Sequence, residues 1–363
     1  MNKLRWGILG TARIARKNWK GIWYSGNSVL TAVASRDAER SRQFISERQR
    51  ENPFDIEPAA LGSYEELLAS PNVDAVYIPI PTGVRKEWVV RAARAGKHVL
   101  CEKPCGASVG DVREMIEACS QHRVQFMDGV MFMHNPRLVQ IRDALDSREA
   151  IGRIRRITSH FSFASEDEFV QRDIRGDGGL EPLGCLGDLG WYCVRFALWT
   201  MNWQLPREVS GRILSQTGGE RSPCPVPFDF SGELLFENDV SSGFFCSFLA
   251  AYSNWAVITG SQGYLRVPDF VLPAKTNQGA LEINGELRDD SILDPFTGQE
   301  TNLVRAFADQ VLSGKLNAAW PEWALKTQRV INGCLESARA GRPVGLNPEP
   351  GGGSSKFQMT NDE

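Results

Sequence analysis

The chain has 363 residues, enough for two domains that each bury a core. Its 41 basic and 44 acidic residues leave a net charge of −3, which argues against a nucleic-acid partner or an anionic membrane surface. No apolar run approaches the roughly twenty residues of a membrane span, and a first strand starting at Leu4 leaves no room for a signal peptide.

Leu4-Arg5-Trp6-Gly7-Ile8-Leu9 reads as a short apolar strand. The tight turn Gly10-Thr11-Ala12-Arg13-Ile14-Ala15 follows, then a helix to about Tyr24. In this strand–turn–helix setting a degenerate G-x-G-x-x-G carries meaning. Gly10 permits the sharp turn, Ala12 leaves room for a pyrophosphate, and Ala15 lets helix and strand pack closely. The helix start, from Thr11 through Arg13 and Ile14, offers N–H groups and the positive dipole end to phosphates. Val29–Ser35 is a second strand and Asp37–Arg50 a charged surface helix. Ser63-x-x-Glu66 is a capping box before a third helix. Val73–Pro79, His98–Cys101 and Val124–Met127 follow as strands, separated by helices over Arg85–Ala95 and Val109–His122. Strict alternation of apolar strands with helices predicts a doubly wound parallel sheet, an α/β Rossmann domain over residues 1–127. Ligands of such sheets lie across the carboxyl ends of the strands.

The second strand ends in Ser35-Arg36-Asp37. Hydroxyl and guanidinium groups there suit the 2′-phosphate of NADP, so NADP(H) is preferred, with NAD(H) as the alternative if Asp37 takes the ribose. Asp37 is equally suited to cap the next helix, and both hold if it caps while Arg36 covers the adenine.

Gly96-Lys97-His98-Val99-Leu100-Cys101-Glu102-Lys103-Pro104 places a lysine directly after a buried strand, at the cleft, with a proline behind it. At this point the chain resembles the glucose–fructose oxidoreductase, inositol dehydrogenase and MocA family (Gfo/Idh/MocA), of which Glu-Lys-Pro is a hallmark. The resemblance implies that Lys103, next to Glu102, lies beside the nicotinamide and the substrate hydroxyl. Val76-Tyr77-Ile78-Pro79-Ile80-Pro81-Thr82-Gly83 fits the family loop that passes along the cofactor, making Pro79, Pro81 and Thr82 expected contacts. The family often has Asn soon after the proline and His three residues later, where this chain has Thr82 and Arg85.

Asp173-Ile174-Arg175 precedes a glycine-rich stretch and then Gly184-Cys185-Leu186-Gly187-Asp188-Leu189-Gly190-Trp191-Tyr192. Leu189–Met201 is apolar enough for a buried helix, with Asp188 near its start, so Asp188 and Tyr192 at i, i+4 share one face. The pair looks like the family's Asp-x-Gly-x-Tyr catalytic element; the alternative is a helix cap and a core tyrosine. A tyrosine with a reference pKa of about 10 needs help to act near neutral pH, and Lys103 with the nicotinamide charge would lower it. Tyr192 is therefore expected as general acid/base, Lys103 as electrostatic partner and hydroxyl donor, and Asp188 as holder of substrate or Lys103. The inverse, proton transfer by Lys103, stays open. His134 and Arg175 are candidate substrate contacts, and Trp191 a wall for a ring or a core residue. Asp177 and Glu181 read as loop charges.

Ile154–Phe163, Val209–Leu214, Ser231–Phe236, Val240–Leu249, Trp255–Ser261 and Tyr264–Val267 read as strands, with hairpin turns at Asn238-Asp239 and Gln262-Gly263. They predict an α+β domain over residues 128–300 with a large, mostly antiparallel sheet. One face would be covered by helices and the other free to form a homodimer or homotetramer, as the family commonly does. Helices Leu303–Leu312 and Trp323–Ala340, within residues 301–346, would pack back on the first domain. Residues 347–363 lack an apolar period and read as a disordered tail. The eight cysteines sit mostly inside predicted elements, and Cys101 and Cys105 flank a turn without zinc spacing. Four scattered histidines likewise argue against a metal, and the chain is expected to be cytoplasmic with reduced thiols.

The resemblance spans roughly residues 4 to 345. Trp6-Gly7-Ile8-Leu9-Gly10-Thr11-Ala12 and Ser35-Arg36 look most like the dihydrodiol and xylose dehydrogenase branch. It implies an NADP-dependent dehydrogenase or reductase acting on a secondary alcohol of a sugar or cyclic diol. The alternatives are a redox-neutral sugar-converting enzyme that retains its cofactor, and a non-catalytic NAD(P)-binding sensor.

Overall fold

The computed structural model describes residues 2–165, 173–218, 222–273, 279–288 and 298–346, so the expected tail over 347–363 lies outside the described residues. Strands β1 (Leu4–Leu9), β2 (Ser28–Ala34), β3 (Ala59–Leu61), β4 (Ala75–Ile78), β5 (His98–Cys101) and β6 (Phe126–Asp128) form one sheet in the order β3-β2-β1-β4-β5-β6. Every pairing in it is parallel. Helices α1 (Ala15–Tyr24), α2 (Ala38–Gln49), α3 (Tyr64–Ala69), α4 (Thr82–Arg94) and α5 (Val109–Gln121) connect the strands. The strand order reverses between β1 and β4, which opens a crevice at their carboxyl ends. The strands are apolar throughout because both faces are buried. Leu4, Trp6, Ile8, Ala75 and Tyr77 enter one core, whereas Leu9, Val76 and Ile78 enter the other. Ser63 forms the capping box as read: its hydroxyl accepts from the Glu66 N–H at 3.2 Å and donates to Glu66 Oε1 at 3.1 Å.

After α6 (Arg137–Ser147), a second sheet contains β7 (Ile154–Ser162), β8 (Glu208–Thr217), β9 (Val226–Leu235), β10 (Ser241–Ser247), β11 (Ser253–Gly260), β12 (Tyr264–Pro268), β13 (Leu281–Ile283), β14 (Glu286–Arg288) and β15 (Val344–Gly345). Its order is β14-β13-β12-β11-β7-β10-β9-β8-β15. Among the described residues only β7 and β10 pair in parallel; the other pairings are antiparallel. Asn238 and Asp239 make the β9–β10 hairpin with φ of 57° and 58°, the left-handed pair that such a turn requires. Helices α7 (Gly184–Asp188) and α8 (Gly190–Thr200) cover this sheet, and α9 (Gln299–Leu312) and α10 (Ala319–Ala340) return to the first domain. Phe307 of α9 packs on Trp6 of β1 with ring centroids 5.1 Å apart. The α10 backbone approaches β8 so closely that a Cβ on Gly211 would sit 2.1 Å from the Cys334 carbonyl oxygen.

The elements differ from expectation in three respects. The fourth helix starts at Thr82, not Arg85, because the first-turn N–H groups of Thr82 and Gly83 find acceptors in the second domain. The helix expected over Leu189–Met201 forms as α8, over Gly190–Thr200, but Asp188 lies outside it, at the end of the short helix α7. Segments β3, α6, β13, β14 and β15 carried no strong periodic signal, and all but α6 are three residues or shorter.

Candidate active site

The crevice edge at β1 is built as the glycine turn anticipates. Gly10 has φ of 116°, and a Cβ there would meet Ile80 Cγ2 at 3.0 Å. Among the described residues no side chain caps the N-terminus of α1 at Ile14; the Ala15, Arg16 and Lys17 N–H groups donate to the Ala12, Arg13 and Ile14 carbonyls, so the positive end of the helix faces the turn that precedes it. At the end of β2, the Ser35 hydroxyl donates to the Asp37 carbonyl at 2.6 Å and accepts from the Asp37 N–H at 3.2 Å. Asp37 Oδ1 accepts the Glu39 N–H at 2.9 Å, so this carboxylate is a helix cap. Arg36 and Arg40 are exposed beside Tyr64. Burial pushes the Tyr64 hydroxyl up, against the pull of both guanidiniums, and Oη lies 3.6 Å from where a Gly10 Cβ would stand. Arg40 and Tyr64 escaped the sequence reading because they come from α2 and α3, one turn and one element away from the Ser35-Arg36 pair.

Lys103, Asp188 and Tyr192 meet although they come from three elements. Lys103 Nζ donates to Asp188 Oδ1 at 2.5 Å and to the Asp188 carbonyl at 2.9 Å, and lies 4.8 Å from the Tyr192 ring centroid. Arg175 Nε donates to the other carboxylate oxygen, Asp188 Oδ2, at 2.8 Å. Asp188 thus bridges two cations, and Arg175 belongs to the cluster. Burial alone would raise the Asp188 carboxyl, but Lys103 and Arg175 hold it down at about 2. Burial is the largest single influence on Lys103 and lowers it, but Asp188, Tyr192 and Glu102 together outweigh it and the ammonium ends well above its ordinary range. Asp188 likewise holds Arg175 charged.

Two expectations need correction. Asp188 and Tyr192 do not share one continuous helix: Asp188 ends α7 and Tyr192 lies in the first turn of α8, yet both face Lys103. Lys103 does not bring Tyr192 below its ordinary value either. Burial raises the phenol strongly, and the neighbouring ammonium recovers only part of that rise. Tyr192 Oη touches Met131 Sδ at 3.7 Å, and its ring packs against Phe132 and Phe161.

The strand-end loops complete the crevice. Buried Glu102 accepts from Tyr77 Oη at 2.6 Å and from the Lys103 N–H at 3.0 Å, and burial raises its carboxyl. Pro79 and Pro81 follow β4 at the same edge, and Pro81 leads directly into α4. Thr82 is tied to the second domain: its N–H donates to Glu181 Oε1 at 3.0 Å and its hydroxyl to Glu181 Oε2 at 2.6 Å. The Gly83 N–H donates to the Leu180 carbonyl at 2.8 Å, and a Cβ on Gly83 would lie only 2.0 Å from the Gly179 carbonyl oxygen. Glu181 is therefore an interdomain anchor, not a loop charge. Nothing local marks it, because its partners lie 99 residues away.

The remaining candidates are packed between the domains or within the core. The His134 carbonyl accepts from Asn302 Nδ2 on α9 at 3.2 Å, and burial with the nearby Arg195 pushes its imidazole down to about 4. Trp191 is fully buried, its indole N–H has no partner among the described residues, and its ring lies 5.9 Å from the Arg195 guanidinium, so it walls no open pocket. Arg195 makes a buried double hydrogen bond to Asp128, at the end of β6, and donates to Thr327 Oγ1 of α10 at 2.8 Å.

Comparison with known proteins matches residues 4–130 to the oxidoreductase family with an NAD-binding Rossmann fold, and residues 138–266 to the GFO/IDH/MocA C-terminal domain. D-xylose 1-dehydrogenase (NADP(+)) 2 of Haloferax volcanii is 31% identical over 346 residues, covering 95% of this chain and 100% of that protein. Trans-1,2-dihydrobenzene-1,2-diol dehydrogenase of Mus musculus is 32% identical over 305 residues, 83% of each chain. Among solved structures, a 3-ketoreductase from Actinomadura kijaniata in complex with NADP and TDP-benzene superposes with a TM-score of 0.79 at 26% identity. It covers 93% of this chain and 98% of that one.

Proposed function

The chain belongs to the Gfo/Idh/MocA family of NAD(P)-binding oxidoreductases, and from that premise we propose that it is an NADP-dependent dehydrogenase or reductase. Its substrate in this reading is a secondary alcohol or carbonyl of a sugar or cyclic diol. The observation that carries the reading is the meeting of Lys103, Asp188 and Tyr192 at the carboxyl end of the Rossmann sheet. The nicotinamide, when bound, supplies or takes up the hydride. Gly10 and the uncapped α1 start, from Thr11 and Ala12 to Ile14, would hold the pyrophosphate. Pro79, Pro81, Thr82 and Glu102 border the crevice beside Lys103. Tyr192, kept protonated by burial, donates its proton to the carbonyl oxygen as negative charge develops there. The Lys103 ammonium, held by Asp188, stabilises the same oxygen. A phenol that rests protonated matches the reductive direction, in which it starts with the proton it donates.

Ser35 at the strand end, with Arg36 and Arg40 beside Tyr64, supports NADP over NAD, and the helix cap engages one of the two Asp37 carboxylate oxygens that a ribose would need. Arg175, with a side chain 39% exposed beside Asp188, is positioned to bind a polar substituent of the substrate. The outer face of the second sheet carries His160 stacked with Trp255 at 5.7 Å and beside Phe245 at 5.1 Å, an aromatic patch that supports a homodimer or homotetramer. Among the described residues no helix is long and apolar enough to cross a membrane, in keeping with the proposed cytoplasmic location.

The test is titration with NADPH and NADH by tryptophan fluorescence, followed by turnover on sugars and diols. NADPH binding at least about tenfold tighter, 1.4 kcal/mol, supports the reading. Preference for NADH transfers the ribose contact elsewhere. Copurifying cofactor without net absorbance change would indicate the redox-neutral enzyme, and binding without turnover the sensor. Lys103→Met and Tyr192→Phe should each abolish most turnover; loss only in Lys103→Met makes the lysine the proton donor.

A further inference from the structure

Arg85 lies in the first turn of α4, at a position where the sequence departs from the family pattern, and only 3% of it is exposed. Its guanidinium reaches both loops that border the crevice. Nε donates to the Ile80 carbonyl at 2.9 Å, and Nη2 also donates to that oxygen. Nη1 donates to the Glu102 carbonyl at 2.9 Å, to the Pro104 carbonyl and, more weakly, to Thr82 Oγ1 at 3.3 Å. Its hydrogen bonds among the described residues therefore go to three backbone carbonyls and one hydroxyl. The carbonyl of Ile80 belongs to the loop after β4. Those of Glu102 and Pro104 stand on either side of Lys103 in the loop after β5.

A buried guanidinium is costly unless its donors are met, and its planar fork fixes the acceptors it meets at set separations. Here the fork spans two loops, so their spacing is set by one rigid group. Lysine keeps the charge but has a single nitrogen on a flexible stem and cannot reproduce the span. The backbone around Lys103 is thereby held while its ammonium, on the far side, reaches Asp188.

We infer that Arg85 is a positioning residue that holds the Lys103 backbone in register with Asp188 by bracing it against the Ile80–Thr82 loop. The inference rests on the reading of Lys103 as part of the reaction centre. Its test does not require turnover. The full-length protein, without added cofactor, is reductively methylated with formaldehyde and cyanoborohydride, and each lysine is followed by peptide mass spectrometry. Lys97 is the internal reference: it is buried in the same domain, with Nζ donating to the Ser70 and Val73 carbonyls at 2.7 Å each.

In Arg85→Met and Arg85→Lys, Lys103 should leave Asp188 and methylate about tenfold faster, the change expected for each unit by which its pKa falls. Lys97 should be unaffected. Unchanged Lys103 labelling in Arg85→Lys would overturn the inference, since charge alone would then suffice. Parallel gains at Lys97 and Lys103 would overturn it as well, since they report general loosening. If Arg85→Met does not fold, Arg85→Lys decides. Labelling of the unaltered protein with and without NADPH is a separate arm. Failure of NADPH to protect Lys103 counts against the oxidoreductase reading and leaves the Arg85 comparison intact.

Discussion

Asp188→Asn removes the charge between two cations and keeps nearly the same shape. The Lys103 and Asp188 side chains are 11% and 17% exposed, so their pairing is largely desolvated. Breaking a buried pair by neutralising one partner costs about 3 kcal/mol or more, because the other charge stays buried without compensation. The Arg175 contact adds about 0–1 kcal/mol, since its side chain is 39% exposed and water replaces the lost acceptor. For a chain of 363 residues unfolding as one unit, about 3 kcal/mol lowers the melting temperature by about 4 °C. Burial then dominates at Lys103, and its ammonium should titrate below its ordinary value rather than above it. The decisive comparison is calorimetry on Asp188→Asn and on the double variant Lys103→Met/Asp188→Asn. The double variant should melt higher than Asp188→Asn alone, because an apolar replacement takes away the stranded charge. Additive losses, or a single variant melting within about 1 °C of the parent, would refute the treatment of Lys103 and Asp188 as one desolvated unit.

His134 should make stability depend on pH. Its imidazole is lowered to about 4 by burial and by Arg195, so the folded chain refuses a proton that the unfolded chain accepts. The contribution is complete above the ordinary value of about 6.5 and is lost as pH falls from there to about 4, amounting to at most about 3 kcal/mol. Urea unfolding at several pH values in that range should show a shallower dependence in His134→Gln; the same slope in both proteins would remove His134 as the cause. Burial also lowers His98 and His160, so some slope should persist. Thr82→Val leaves the Glu181 carboxylate short of its 2.6 Å hydroxyl donor and should cost about 1–2 kcal/mol in chemical denaturation. Gly83→Ala forces a Cβ toward a carbonyl oxygen 2.0 Å away, and should destabilise by about 1–3 kcal/mol and speed proteolysis of the Gly176–Leu183 loop. Equal proteolysis in the parent and in Gly83→Ala would show that the loop does not depend on that contact.

Much of the molecule was legible from local chemistry. The Gly10 turn, the capping box at Ser63 and the Asn238-Asp239 hairpin depend on backbone rules that act within a few residues, and all three formed as read. Apolar runs announced the parallel strands because both faces of that sheet are buried. Less was legible where an element owes its ends to distant partners. Thr82 and Gly83 looked like loop, yet they open α4 because Glu181 and Leu180 supply their acceptors. The i, i+4 spacing of Asp188 and Tyr192 suggested one helix, whereas Asp188 ends α7, Tyr192 lies in α8 and the two residues are related through Lys103.

From its sequence alone this protein was a Rossmann domain joined to a mostly antiparallel sheet, with a lysine, an aspartate and a tyrosine set apart as its chemistry. Helix and strand periods, turn residues and caps are local properties, and they survive in any packing of the chain. Tertiary structure alone decided that Asp188 bridges Lys103 and Arg175, that Glu181 anchors α4, that Arg85 braces two loops and that the Tyr192 phenol is raised, not lowered. Each depends on charges and carbonyls brought together across long stretches of chain and on the water excluded when they meet. Burial and long-range pairing set those energies, and neither is written in the spacing of residues.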